Sequence, residues 1–242
     1  MSLAEKFATR YAGLRKAYGT FTASDETRED GKASGKNITI SKELSDKDLL
    51  KLWDDHLSGR QSVGIVAIDE NNSCVWGAID VDEYQLDLKD LSKKLAKQEL
   101  PLILCRSKSG GAHIYIFLQE PVAASMLQRK LRQLAAAIGY GQAEIFPKQT
   151  QLLLERGDRG STLNMPYFGG ENSTRYAYGR DGGALTPEEF LNFASELALT
   201  PNELEKLEAS PLNEAIDWLD QSPPCIQHLI VQGFPKGTRN SG

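Results

Sequence analysis

The apolar pattern of the chain changes period between residues 45 and 138, and that change constrains the fold more than any other feature. Ser45 opens a helical stretch with Asp46 and Asp48 in its first turn, where acids suit the helix dipole; it runs to about Leu57, and Gly59 ends it. Two β-branched-rich runs follow, Ser62–Asp69 and Cys74–Asp82, joined by Glu70-Asn71-Asn72-Ser73 as a hairpin candidate. A helix near 88–98 leads through Pro101 into the apolar run Leu102–Cys105. Lys108-Ser109-Gly110-Gly111 supplies a turn, and His113–Leu118 returns as a strand. A helix over 123–138 and short strands near 143–146 and 151–154 complete the pattern.

Hairpins interleaved with crossover helices predict an α/β (α+β) domain: a mixed, largely antiparallel sheet with an RRM-like core and flanking helices. Residues 3–17 read as a basic amphipathic helix, with Leu3, Phe7, Tyr11 and Leu14 on one face, and residues 22–37 as a mobile loop. Acidic helices are expected near 187–197, 201–208 and 212–219, with Pro211, Pro223 and Pro224 between and after them. The expected division is a main domain over 1–200 and an acidic helical segment over 201–242.

The composition, 40% hydrophobic and 25% charged, is ordinary for a soluble globular chain, and no run approaches the roughly 18 apolar residues of a membrane span. Cys74, Cys105 and Cys225 show neither disulfide nor zinc spacing, which points to a reducing cytoplasm. A net charge of −5 argues at first against a nucleic-acid partner, but residues 185–220 carry nine acids and one base, −8, which leaves +3 for the rest.

Four segments carry candidate chemistry. In Ile79-Asp80-Val81-Asp82 a strand puts both acids on one face, roughly 6.5–7 Å apart along the chain, where they suit one or two Mg²⁺ or Mn²⁺ ions. The alternative is a strand end running into a solvated acidic turn. In Arg106-Ser107-Lys108-Ser109-Gly110-Gly111-Ala112-His113, small residues expose backbone N–H groups and side-chain donors suited to a triphosphate. The alternative is an ordinary Gly-Gly hairpin with a satisfied histidine. Glu144-Ile145-Phe146-Pro147-Lys148 offers a third carboxylate and a cation, or an edge-strand Glu facing solvent. Gly160–Gly170, which includes Asn164, mixes small polar and aromatic residues as a nucleotide-facing loop or a structural turn. Gly31–Asn37 is not a P-loop, being one residue short between its glycines and having Asn37 where Ser or Thr is required.

Taken in order, these segments resemble the archaeo-eukaryotic primase superfamily, in particular its phage- and plasmid-type primase-polymerases, over roughly residues 45–180. Asp80/Asp82 are similar to that family's first motif. The turn ending in His113 is similar to the second, with Gly111 where the family often has Ser, and Glu144 to the third, where many relatives have Asp. His56-Leu57-Ser58-Gly59-Arg60 is similar to a segment preceding the first motif. Pro223-Pro224-Cys225 onward resembles the start of a helical accessory domain, implying a piece of a longer bacterial or phage protein that carries a helicase further on.

The resemblance implies template-directed nucleotidyl transfer from dNTPs or NTPs to a 3′-OH in phage or plasmid DNA replication. Asp80, Asp82 and Glu144 would be the catalytic metal ligands. Arg106, Ser107, Lys108, Ser109, His113, Lys148 and Asn164 would bind nucleotide. Single-stranded template or primer-template would lie near Arg129, Lys130 and Arg132 of the 123–138 helix. Two other readings stay open: a metal-dependent nuclease, which needs no triphosphate pocket, and a non-catalytic module binding single-stranded or origin DNA.

Overall fold

In the computed structural model the described residues are 1–27, 33–83 and 85–208, with side chains described outside 22–37. Six helices are α1 (Leu3–Arg10), α2 (Asp46–Leu57), α3 (Leu88–Lys97), α4 (Ala124–Ala137), α5 (Pro187–Glu196) and α6 (Pro201–Lys206). Eight strands are β1 (Ala17–Thr27), β2 (Ala33–Ser41), β3 (Val63–Val66), β4 (Ser73–Val81), β5 (Ile103–Arg106), β6 (Ala112–Ala123), β7 (Glu144–Phe146) and β8 (Thr162–Asn164). They form two antiparallel four-stranded sheets, ordered β2-β1-β3-β8 and β5-β6-β4-β7. The chain divides into compact units Met1–Ser210 and Pro211–Gly242; the second, with the helix expected near 212–219, lies outside the described residues.

The second sheet follows the chain order β4-α3-β5-β6-α4-β7, the split β-α-β-β-α-β arrangement expected of an RRM-like core. Alternation gives each strand two faces. On one, α4 lays Leu127 and Leu131 over Gly77, while α3 covers Leu102 and Leu104 with Leu95. On the other, Trp76, Ala78, Tyr115, Phe117 and Phe146 join one core with Phe7 of α1, Tyr11 just after it, Trp53 of α2, and Val63, Ile65 and Leu163 of the first sheet. Tyr11 is its hub, with ring centroids 5.2 Å from Trp76, 5.4 Å from Tyr115 and 5.7 Å from Trp53.

Helix ends follow the sequence closely. Ser2/Glu5, Ser45/Asp48, Thr186/Glu189 and Thr200/Glu203 all form reciprocal capping boxes, which satisfy the first free N–H groups of α1, α2, α5 and α6.

The first sheet corrects several expectations. The helix expected over 3–17 stops at Arg10. Beyond it the chain is held against β3: the Leu14 N–H donates to Val66 O at 3.0 Å, and a Cβ on Gly13 would stand 2.0 Å from the same carbonyl oxygen. The segment 22–37, expected as a mobile loop, contains most of β1 and β2, which pair from Ala17↔Ser41 onward; residues 28–32 lie outside the described ones. The Asp69–Ser73 turn forms, with the Asp69 carboxylate accepting the Asn71 and Ser73 N–H groups at 2.9 and 2.8 Å. Its flanking strands nevertheless do not pair, because β3 is taken by β1 and β8 and β4 by β6 and β7. Residues 151–154 are not a strand; a 3₁₀ turn forms over Leu154–Arg156, and the strand lies later, at β8.

His56 anchors this layer. Its Nε2–H donates to Pro166 O at 2.8 Å, and its Nδ1 accepts the Val63 N–H at 3.0 Å, which fixes a neutral tautomer. Burial pushes its pKa down to about 4. The sequence segment around His56 is therefore a structural pin between α2, β3 and the chain after β8.

Candidate active site

The site is built on β4, the second sheet's inner strand. Asp80 stands in register with His113 of β6 on one side and Glu144 of β7 on the other, so all three side chains belong to one face. The Asp80 carboxylate is 16% exposed, and its Oδ1 lies 3.3 Å from His113 Nε2. A carboxylate only accepts, so Nε2 is the donor toward Asp80, and Nδ1 lies 3.2 Å from the Tyr115 hydroxyl. Burial raises the pKa of the Tyr115 phenol.

The hairpin turn lies beside the strand end. Ser107 N–H donates to Gly111 O at 2.9 Å, Gly110 N–H to Ser107 O at 3.3 Å, and Ser109 Oγ to Asp82 Oδ1 at 3.4 Å. A Cβ at position 111 would stand 2.2 Å from Val81 O. That close approach explains why glycine occupies the position where the resembling family has serine; Ser107 and Ser109, with hydroxyls 3.1 Å apart, supply the hydroxyls instead.

Lys108 and Arg175 add positive charge with no carboxylate partner among the described residues. Lys108 Nζ sits 2.8 Å from the ring centroid of Phe21 on β1, and burial, then the Arg175 charge, lower its pKa to about 8. Arg175 carries a buried Nη1 without a hydrogen-bond partner, and its guanidinium lies 5.0 Å from the Phe168 ring centroid. Sequence reasoning missed Arg175 because Asn172-Ser173-Thr174-Arg175 reads as a plain polar loop.

Other expected residues stand elsewhere. Glu144 is on the edge strand with its side chain 61% exposed, bound to Lys148 Nζ at 2.6 Å, so Lys148 neutralises Glu144 here. Arg106 pairs in register with Ala112, out of phase with the Cys105–His113 pair, and so belongs to the opposite face from His113. Asn164 is opposite Gly64, on the face of its sheet away from Val63, Ile65 and Leu163. The helix bearing Arg129, Lys130 and Arg132 packs on the face opposite Asp80, and Lys130 Nζ is occupied by Glu205 O and Leu207 O at 2.9 and 2.8 Å.

Among the described residues, no group of three or more His, Cys, Asp or Glu side chains is assembled to hold a metal ion. The donors fit a hard cation all the same, since Asp80, Asp82 and the in-register Glu144 offer carboxylate oxygens alone.

An RRM-like sheet with an acidic pair ending its inner strand, and a Ser/Gly turn and histidine on the neighbouring hairpin, is the layout of a primase-type nucleotidyltransferase domain. Residues 4–179 match AEP-TOTE, the archaeo-eukaryotic primase domain of TOTE conflict systems, and the chain belongs to that family. No curated protein matches the chain. The match also takes in α1, β1 and β2, which the resemblance over 45–180 left out, and it assigns a primase-type role in a conflict system without extending to the phage or plasmid subtype.

Proposed function

We propose that this chain is a template-directed nucleotidyltransferase, moving a nucleotide from a nucleoside triphosphate to a 3′-OH. One observation carries the reading: the exposed Lys108, seated against Phe21, and the half-buried Arg175, with a buried Nη1 lacking a hydrogen-bond partner, lie near one another with no carboxylate partner among the described residues. Such a pair calls for a strongly anionic ligand, and its lysine stands on the same turn whose Ser109 reaches Asp82.

In this mechanism the turn Ser107–Gly111, Lys108 and Arg175 bind the triphosphate and hold its α-phosphate before the acid pair. His113 orients the Asp80 carboxylate and is itself held by Tyr115. Asp80 and Asp82, with Glu144 once released from Lys148, would hold Mg²⁺ or Mn²⁺, which when bound activates the attacking hydroxyl and neutralises charge on the leaving pyrophosphate. Positioning and charge are most of what phosphoryl chemistry asks of a protein.

The nuclease reading gains nothing from a triphosphate receptor. The non-catalytic reading has one observation in its favour, the unassembled acid trio. Titration of dNTPs and NTPs in Mn²⁺, followed by primer synthesis and extension on single-stranded template, separates the three. Metal-dependent triphosphate binding with extension is expected. A folded protein that binds no triphosphate, or that hydrolyses strands without extending them, would overturn the proposal.

A further inference from the structure

The turn Ser107–Gly111 borders something on each side. On one side Ser109 meets Asp82. On the other, Gly110 and Arg106 line an open groove of 570 Å³ with Tyr178 and the segment from Gln85 to Lys89. The chain returns there to cover the free edge of β5: Arg106 N–H donates to Tyr176 O at 3.0 Å and Tyr178 N–H to Leu104 O at 2.9 Å. Ala177, bridged to Cys105, goes into the core, so alternation sends Tyr176 and Tyr178 to the side of Arg106. Their rings lie 5.2 Å apart.

Two cations at this groove have no acidic partner among the described residues. Lys89 is exposed and has no ion-pair partner among the described residues, and Arg106 reaches only a carbonyl, Thr174 O, at 3.4 Å. The groove's acid, Asp87, is engaged as the cap of α3, accepting the Asp90 N–H at 2.9 Å. Paired aromatic rings beside free cations suit an unpaired base with its neighbouring phosphates.

We infer that this groove binds a single-stranded nucleic-acid segment and leads it across Gly110 to the acid pair. The passage is short, because Gly111 lies directly against the Val81 carbonyl, one residue from Asp82. The inference rests on the reading of the chain as a templated transferase, but its ligand and residues are separate from those of the triphosphate.

The test is titration of the full chain, without nucleotide or metal, into a labelled homopyrimidine oligodeoxynucleotide, with an oligoribonucleotide and a mononucleotide in parallel. The oligonucleotides are expected to bind and the mononucleotide to bind far more weakly. Tyr178→Ala weakens oligonucleotide binding about tenfold, while Tyr178→Phe, which keeps the ring, retains it. The double variant Lys89→Gln/Arg106→Gln changes only surface groups and stands in should Tyr178→Ala fail to fold. It lowers the log–log salt slope by about 1.4, roughly 0.7 for each lost phosphate contact. Unchanged affinity and slope in the double variant would overturn the inference. So would loss of triphosphate binding in that variant, which would make the groove part of the nucleotide site. Lys108→Gln/Arg175→Gln must lose triphosphate yet keep the oligonucleotide; if the oligonucleotide is lost as well, the two sites are one and the inference fails. A chain that binds triphosphate but no oligonucleotide sinks the groove alone.

Discussion

The two sheets of Met1–Ser210 are made in opposite ways. The sheet carrying Asp80 comes from one continuous stretch, β4 to β7, through one hairpin and two helical crossovers that each skip a single strand. The other gathers β1, β2 and β3 first and receives β8 only after the whole second sheet has been laid down. The local sheet holds the acids and the histidine. The assembled one holds Phe21, against which Lys108 rests, and the chain following β8 brings Arg175. The acids, the histidine and the Ser107–Gly111 turn are thus local in sequence, while Arg175, the second cation beside them, is brought from afar.

If that division is right, the largest effect belongs to the local sheet. Asp80→Asn should reduce primer extension by at least about 10³-fold, since several kcal/mol of charge stabilisation centre on that carboxylate. The thermal unfolding midpoint should stay close to wild type, because among the described residues the Asp80 carboxylate's polar partner is His113. Undiminished extension by the folded variant would move the chemistry off this sheet.

The assembled sheet should answer in stability. His56 is neutral in the fold and cannot accept the Val63 N–H once protonated. Its folded pKa, about 4, lies below the ordinary value of 6.5, so its contribution is complete above pH 6.5 and is lost as pH falls from 6.5 to 4. The loss amounts to about 3 kcal/mol. His56→Ala should lower stability at pH 7 by a similar amount and flatten the pH dependence in that window, as denaturant melts at several pH values would show. Activity per folded molecule should be retained; if it falls with Asp80→Asn, the sheets are not separable.

How much of this the sequence disclosed follows the same division. Asp80 and His113 were legible because each lies on a strand, and Asp82 because it directly follows one, with period and turn written within a few residues. β1 was not, since its Gly19, Ser24, Asp25 and Glu26 hide the alternation, and its partners are set by backbone pairing with β3. Residue type alone sets Arg106 beside phosphate, whereas its register with Ala112 places it on the face opposite His113. Arg175 had no local signal, and its meaning comes from a buried Nη1 beside a lysine distant in sequence.

That residue sharpens the comparison. Arg175→Gln should weaken triphosphate binding about tenfold to a hundredfold, the range for one charge-assisted hydrogen bond, with calorimetry in Mn²⁺ as the measurement. The loss of its charge should also raise the Lys108 pKa from about 8, since Arg175 is one of its depressing causes. Wild-type triphosphate affinity should therefore decline as pH rises through 8, where Lys108 gives up its proton, and in the variant that decline should move to higher pH. An affinity independent of pH between 7 and 9 would separate Lys108 from the ligand.

The smallest effect is expected at Glu144, the third acid of the local sheet. Its Cα faces that of Asp80 across β4 and β7, yet its carboxylate is exposed and held by Lys148. An exposed ion pair of this kind is worth about 0–1 kcal/mol, so it yields readily to a competing ligand. Glu144→Gln should then cost about tenfold in extension, well short of Asp80→Asn, and should raise the Mn²⁺ concentration needed for half-maximal rate. Lys148→Met, which frees the carboxylate, should lower that concentration while leaving extension at saturating Mn²⁺ within a few fold. Equal losses for Glu144→Gln and Asp80→Asn would mean that the acids act as one assembled unit and that the edge strand is as much a part of the centre as β4.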